Sequence, residues 1–302
     1  MNIFLDSVNL SSDTGPNGFA KKLARAFEVG GHALTDSPQK ADGTICFTRR
    51  NLAKKPFVQR LDGIYFNSTT NYENQNEDIK SAYRAAHTVI FQSEFDRRVA
   101  ENFLGAPNRG VVIRNGTDLD AIFGIHQSTN PVFDGYSEVW SCASVWHHRP
   151  NKRLQDNIRF FHECAPSDAC LAVCGQVNEE ISKDRVIQLG HLGWKQLISV
   201  LKRSKYFVHL ATVDHCPNVV VDARGCGCII VCASLGGTEE IAGQDGIIIE
   251  DFDWDFKTAF DFKKPKKLDF SKRRSGKYTT DIDELDILNT ALRYINVLEE
   301  AK

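Results

Sequence analysis

Asp214-His215-Cys216-Pro217-Asn218-Val219-Val220-Val221-Asp222 is the stretch whose reading decides the fold. It follows a hydrophobic run, Tyr206-Phe207-Val208-His209-Leu210, and leads to Gly225. A β-rich run that passes through proline into an apolar stretch ending at glycine reads as strand, loop and helix. Proline suits the first helical turn, where a missing N–H costs nothing. The helix therefore starts beside Asp214, with free N–H groups and a positive dipole end. Such a terminus is a seat for a phosphate or a sugar hydroxyl. Asp222, eight positions after Asp214, falls about one turn inside the helix and can accept hydrogen bonds from hydroxyls. The plain structural alternative is a helix cap at Asp214 and a solvated face residue at Asp222.

Outward from this unit the pattern repeats. Short β-rich runs alternate with amphipathic helical runs, which argues for parallel sheets covered by helices. Strands are expected at Ile3–Leu5, Thr44–Phe47, Phe57–Leu61, Thr88–Gln92 and Val111–Ile113. A second series is expected at Val139–Val145, Ala169–Cys174, Val186–Gln188, Tyr206–Leu210, Cys228–Ala233 and Ile247–Ile249. Phe19, Leu23 and Phe27 recur at spacing four and mark a helix that ends at Gly30-Gly31. Further helices are expected at Glu94–Phe103, Lys152–Cys164, Trp194–Arg203 and Asn218–Gly225. Asn115 to about Glu138 is rich in turn residues and reads as a linker. These runs predict two Rossmann-like, doubly wound α/β domains, 1–128 and 129–302, with a cleft between them. A terminal helix over Glu284–Leu298 carries Leu285, Leu288, Leu292 and Ile295 on one face, with Asp281 and Glu284 as its capping box. It is expected to pack back on the first domain.

Length and composition agree. The 302 residues suffice for two ordinary domains, and 42% hydrophobic with 25% charged content describes a globular chain. A net charge of -2 gives no overall pull toward nucleic acid or anionic membrane. Met1-Asn2-Ile3-Phe4-Leu5-Asp6 reads as a first strand rather than a signal peptide. No apolar run approaches the ~18 residues of a membrane span, so a cytoplasmic location is expected. Most of the nine cysteines lie in apolar runs, as buried hydrophobes of a reducing compartment do. Cys226-Gly227-Cys228 with Cys232 matches no zinc spacing, so no metal is expected. Lys263 to Lys277 holds eight basic residues and one acid. It reads as a solvated loop, or as a weak contact for an anionic surface, membrane headgroup or nucleic acid.

Two glycine loops sit where strands end. Gly15-Pro16-Asn17-Gly18 lies between the first strand and first helix, in a small-residue loop from Ser11 to Gly18. Gly236-Gly237 lies after the strand that follows Asp222, ahead of Glu239 and Glu240, which could cap or bind hydroxyls. Glycine at such turns lets backbone N–H groups approach a sugar or phosphate. GxGxxG is missing, and so is the P-loop pattern, which speaks against a nicotinamide oxidoreductase. Lys152 and Arg153 begin a helix at the same sheet edge, where a cation can offset a leaving diphosphate.

These pieces together resemble the retaining glycosyltransferases of family 4, of the GT-B fold. Gly15–His32 is similar to the first loop and helix of that family. Ala85–Phe95 resembles its strand ending in Ser-Glu, here Ser93-Glu94. Val112–Asp118 is similar to its Asn-Gly-Val-Asp stretch. Trp194–Leu210 resembles its base-reading turn, helix and strand. Asp214 to Glu240 is similar to its Glu-x7-Glu motif and the following Gly-Gly loop. The resemblance implies sugar transfer from a nucleotide-sugar, with retention and without metal or other cofactor. It implies that Asp214 contacts donor-sugar hydroxyls, Asp222 the ribose and Lys152 the diphosphate. Asn218 and Val219 would offer helix-start N–H groups; Leu192 to Trp194 would flank a uridine or guanosine base. Gly15, Gly18, Gly236 and Gly237 would approach donor phosphate or acceptor, and Asp62 and Glu94 would face an acceptor, which is unidentified and could be nucleic acid. The chain departs from the pattern: both motif glutamates are aspartates. His147 stands where an arginine is usual, with Arg149 or Arg153 as substitutes. Cys174-Gly175-Gln176 replaces Gly-Asp-Gly. A degenerate relative that binds nucleotide-sugar or glycan without turnover is the alternative.

Overall fold

The computed structural model describes residues 1–12, 15–178 and 180–301. It contains two sheets, each with helices on both faces. The first half runs β1 (Asn2–Asp6), α1 (Gly15–Val29), β2 (Ala33–Leu34), β3 (Gly43–Phe47), β4 (Val58–Leu61), α2 (Tyr72–Gln75), α3 (Glu77–Ala85), β5 (Thr88–Phe91), α4 (Glu94–Leu104) and β6 (Gly110–Val112). Its six strands are parallel, in order β2-β1-β3-β4-β5-β6. A segment with the short helix α5 (Leu119–Phe123) leads into the second half. There follow β7 (Glu138–Ala143), α6 (Leu154–Cys164), β8 (Ala169–Cys174), β9 (Val186–Gly190), α7 (Trp194–Arg203), β10 (Tyr206–His209), α8 (Asn218–Gly225), β11 (Ile229–Ala233), α9 (Glu239–Ala242), β12 (Ile247–Ile249), β13 (Arg273–Ser275) and α10 (Ile287–Glu300). The second sheet has the order β13-β12-β11-β10-β7-β8-β9. All its pairs are parallel except β12 with β13. Its strand order reverses between β7 and β10, and such a switch point opens a crevice at the carboxyl ends of the strands.

The strands that read as continuous apolar runs are buried on both faces, as parallel sheets require: Ala169–Cys174 is buried throughout. Four local expectations are corrected. Helix α1 begins at Gly15, so Gly15–Gly18 is its first turn and not a loop. Lys152 closes a 3-10 turn, Pro150–Lys152, and α6 starts only at Leu154, because Arg153 adopts φ 53°. Lys263–Lys277 is not all loop: it carries β13, whose Arg274 clasps Glu239 through two hydrogen bonds of 2.7 and 2.9 Å. Helix α10 starts after its cap Asp286, and the Asp281–Glu284 contact belongs to the preceding 3-10 turn. Its buried face is Ile287, Ala291, Tyr294, Ile295 and Leu298, while Leu288 and Leu292 point to solvent. The leucine stripe misled because the helix docks through the ring of Tyr294, which meets Phe19 of α1 at 6.4 Å.

The two halves are held together by side chains that cross between them. Glu240 accepts from the N–H groups of Glu94 and Phe95 at the start of α4, both at 2.9 Å, and from Arg114 at 3.2 Å. A carboxylate at a helix N-terminus satisfies free donors and the dipole together. Burial raises the Glu240 pKa against those contacts. The strap after β12 lays Trp254 on Phe66 with centroids 5.2 Å apart and pairs Phe260 with the backbone of Phe66 and Ser68. Trp254, Phe256 and Phe260 thereby join the core of the first half.

Candidate active site

At the carboxyl edge of both sheets lies a cleft of about 690 Å³. Asp214 stands on its second-half wall. The Lys152 ammonium lies 2.5 Å from Asp214 Oδ2, and His209 Nε2 lies 2.8 Å from the same oxygen. His209 ends β10 and is buried; Lys152 ends the turn before α6. Burial works against the charged form of Asp214, but the Lys152 ammonium and the His209 hydrogen bond outweigh it and hold the carboxyl well below the usual range. Burial lowers the His209 pKa, opposed by Asp214. A neutral imidazole with its proton on Nε2 fits this contact. Asp214 Oδ1 has no protein donor among the described residues.

The loop that presents Asp214 is built from close backbone contacts. Val213 adopts φ 52°, a costly conformation for a β-branched residue, with its N–H on Leu235 O at 2.8 Å. Gly237 N–H donates to Asp214 O at 2.7 Å. A Cβ on Gly237 would lie 1.8 Å from His215 O, and one on Gly236 2.9 Å from Asp214 O. The Gly236-Gly237 pair therefore supports the Asp214 loop from behind. It does not line the cleft, contrary to the phosphate-wrapping expectation.

Of the residues singled out in the sequence, Gly15, Asp62, Arg149, Lys152, Gly175, Leu192, Asp214, Asn218 and Val219 line this one cleft. The first turn of α8 faces it, and Asn218 Nδ2 donates to Gly15 O at 2.8 Å across the two halves. Arg149 is exposed and has no ion-pair partner among the described residues. Gly175 needs its glycine: φ is 104°, and a Cβ would sit 2.1 Å from Ser144 O.

Others are placed elsewhere. Asp222 is buried and already occupied: Lys22 lies 2.6 Å from Oδ1, Thr117 Oγ1 2.5 Å from the same atom, and Trp194 Nε1 3.0 Å from Oδ2. Lys22 belongs to α1, so this pair ties the two halves together beyond the cleft. Arg153 is buried and bonded to Asp251 at 2.7 and 3.2 Å, anchoring the strap after β12. Gly18 lies within α1 and Glu94 is exposed at the start of α4; neither lines the cleft. Glu239 is spent on Arg274.

Sequence reading missed Arg60, Gln92, Asn115, His191, His209 and His215, which also line the cleft. Arg60 lies in β4 beside Gln59, and Gln92 directly follows β5; polar side chains in or just after otherwise apolar strands were a usable signal. Arg60 is buried, pairs with Asp62, and donates to Asn115 Oδ1 at 2.8 Å. Its guanidinium lies 4.2 Å from the Phe19 ring centroid.

Residues 139–260 match the family model described as glycosyl transferases group 1. That range covers most of the second half and less than half of the chain. Among curated proteins no sequence relative is found. Solved structures share the whole fold. HepE of Anabaena in complex with UDP and glucose superposes with TM-score 0.67 at 15% identity, covering 99% of this chain and 100% of its own. Sucrose-phosphate synthase of Thermosynechococcus elongatus gives 0.69 at 12%, with 99% and 98% covered. A glycosyltransferase of Rickettsia africae gives 0.61 at 12%, with 99% and 98% covered. At such identities the likeness is one of fold: two Rossmann-like domains facing a cleft.

Proposed function

We propose that this protein is a glycosyltransferase that moves a sugar from a nucleoside-diphosphate sugar to an acceptor hydroxyl. One observation carries the reading: Asp214, Lys152 and the α8 N-terminus converge on one cleft between two Rossmann-like halves. The group 1 glycosyl transferase match covers that same half, and HepE, of like fold, is described with UDP and glucose.

In this mechanism the diphosphate lies against the N–H groups of Asn218 and Val219, with Lys152 and Arg149 opposing its charge. Those donors strengthen as negative charge develops on the leaving oxygen. Asp214 Oδ1 accepts from a donor-sugar hydroxyl. The anomeric C–O bond to phosphate breaks, and the acceptor oxygen bonds to the same face, with retention. The acceptor proton passes to the departing phosphate oxygen. Positive charge comes from lysine, arginine and helix, so no metal is required, and EDTA is expected to leave the rate unchanged. Nine cysteines without disulfides fit a reducing, cytoplasmic setting.

The test is release of UDP or GDP from a panel of nucleotide-sugars, with and without sugar acceptors, for the wild type and Lys152→Ala. Acceptor-dependent release that the variant loses supports transfer. Equal rates for both proteins would exclude this assignment. A second reading, nucleotide-sugar binding without turnover, is favoured by Asp222, whose two oxygens are already engaged. Binding without release under every acceptor would establish it.

A further inference from the structure

A second cavity, of about 440 Å³, adjoins the turn that carries Lys152. That volume lies within the range of small-molecule sites. Ser144, Val145 and Lys152 face the cleft, whereas Trp146, His147, His148 and Pro150 face this cavity. Among the described residues, Arg149 alone lines both.

The second cavity collects donors. Arg153, at φ 53°, starts α6 without a side-chain cap. The first-turn N–H groups of Leu154, Gln155 and Asp156 therefore have no acceptor within the helix, and all three residues line the cavity. Arg153 lines it too, with its side chain 1% exposed. Its terminal nitrogens are bonded to Asp251 and to the carbonyls of Leu210 and Lys266. Its Nε has no hydrogen-bond partner, and Asp156 Oδ2 stands 3.8 Å away. Asn178 Nδ2 lies 2.6 Å from His147 Nδ1. An amide nitrogen can only donate, so Nδ1 accepts and the ring proton sits on Nε2, a further donor.

The acceptors are fewer. Asp156 is the one carboxylate among the lining residues, and Arg159 holds its Oδ1 at 2.9 Å. Gln155 and Asn178 add neutral amide oxygens. Pro265 closes the rim between Lys263, Lys264, Lys266 and Lys267, all exposed. Lys266 lies over the Phe252 ring at 4.3 Å, and the other three have no ion pair among the described residues. Two half-buried or exposed acids, Asp261 and Glu180, stand nearby in the chain. Four cations without an ion pair, Arg149 among them, thus outnumber these acids. Trp146, Pro150, Leu154 and Pro265 supply apolar wall.

We propose that this second cavity binds a phosphoryl group, with the first-turn amides of α6, Arg149 and His147 Nε2 donating to its oxygens. Backbone amides at a helix start and a guanidinium are the donors a phosphate dianion takes. The dianion is free phosphate or the head of a small monoester, whose body would lie on the apolar wall. The site stands whether or not the cleft transfers sugar.

Inorganic phosphate, glucose 6-phosphate and glucose are titrated separately onto the isotope-labelled full chain, and backbone amide NMR signals locate each ligand. The amides of Leu154, Gln155 and Asp156 are expected to shift saturably with the phosphates and not with glucose. Those of Asn218 and Val219 report the cleft independently. Gln155→Glu suits a helix start and sets a carboxylate among the donors, so it is expected to weaken phosphate at least about tenfold. Lys263→Gln changes net charge equally at an exposed position and is expected to weaken it less than about threefold. Tighter binding of the ester would assign a monoester, and equal affinities would assign free phosphate; both support the site. No shift at 154–156, shifts confined to 218 and 219, or equal losses from the two variants would overturn it.

Discussion

Asp214 and Asp222 look alike in the sequence, two carboxylates at the two ends of one strand-to-helix unit. The structure gives them different work. Asp214 lies on the cleft with one oxygen engaged by Lys152 and His209 and the other left over. Asp222 is sealed by Lys22, Thr117 and Trp194, and Lys22 comes from the opposite half of the molecule. Carboxylates at helical spacing share a face only roughly: eight residues are more than two turns, and Asp214 precedes the helix altogether. The lesson is that one motif can hold a cleft-facing group and a docking group side by side.

The largest expected effect separates the two directly. Lys152→Ala and Asp214→Ala are each predicted to reduce transfer by about 10²–10³-fold, the usual loss when one charge-stabilising group is removed. Initial rates on proteins with native circular dichroism check this. Asp222→Asn, which keeps the shape of the side chain, is predicted to lose far less activity. Equal losses at both positions would erase the distinction.

Next comes the support behind Asp214. Gly237→Ala puts a methyl group into His215 O and is expected to cost about 1–3 kcal/mol by overpacking, read by urea titration. It should also lower the rate with an unaltered Lys152, because the whole 213–215 loop must shift. Gly15→Ala, where a Cβ meets nothing within 4 Å, is the stability control.

The docking carboxylate is probed from the other side by Lys22→Ala. That change leaves the buried Asp222 without its cation and is predicted to destabilise by roughly 3 kcal/mol. Double substitution with Asp222→Asn should cost less than the sum, since the uncompensated charge is gone. Strict additivity would show that the pair does not couple the halves.

The smallest effect is a pH dependence. His209 has its folded pKa below the ordinary value of about 6.5. The unfolded chain then binds the proton more readily, so stability falls as pH drops below about 6.5. The depressed Asp214 pKa acts in the same direction at lower pH, its contribution being complete above about 4 and lost only in strong acid. The melting temperature is expected to fall by about 2–4 °C between pH 7.5 and 5.5, and His209→Gln should flatten that slope.

How much of this was legible in the chain differs by element. Apolar runs such as Ala169–Cys174 and Tyr206–His209 announced the parallel strands, because strands covered on both faces must be apolar throughout. Pro217 and Gly225 marked the ends of α8 through backbone chemistry that needs no tertiary partner. The terminal helix was found, but only part of its expected face is buried: Leu285 and Ile295 are, Leu288 and Leu292 are not. Leu288 and Leu292 fit a stripe, yet the docking face was chosen by how Tyr294 meets Phe19 across the chain.

For the site, the sequence by itself determined that Asp214, Lys152 and the start of α8 would share one sheet edge. Strand-to-helix loops of a doubly wound sheet all emerge there, and local pattern sets that topology. Only the tertiary structure decided that Asp222 and Arg153 are bound away from the cleft and that Arg60, His209 and His215 are brought to it. Those outcomes depend on which side chain of a distant segment reaches a buried charge first. A charge out of water keeps whatever partner lies within hydrogen-bond distance, and no spacing along the chain records that distance.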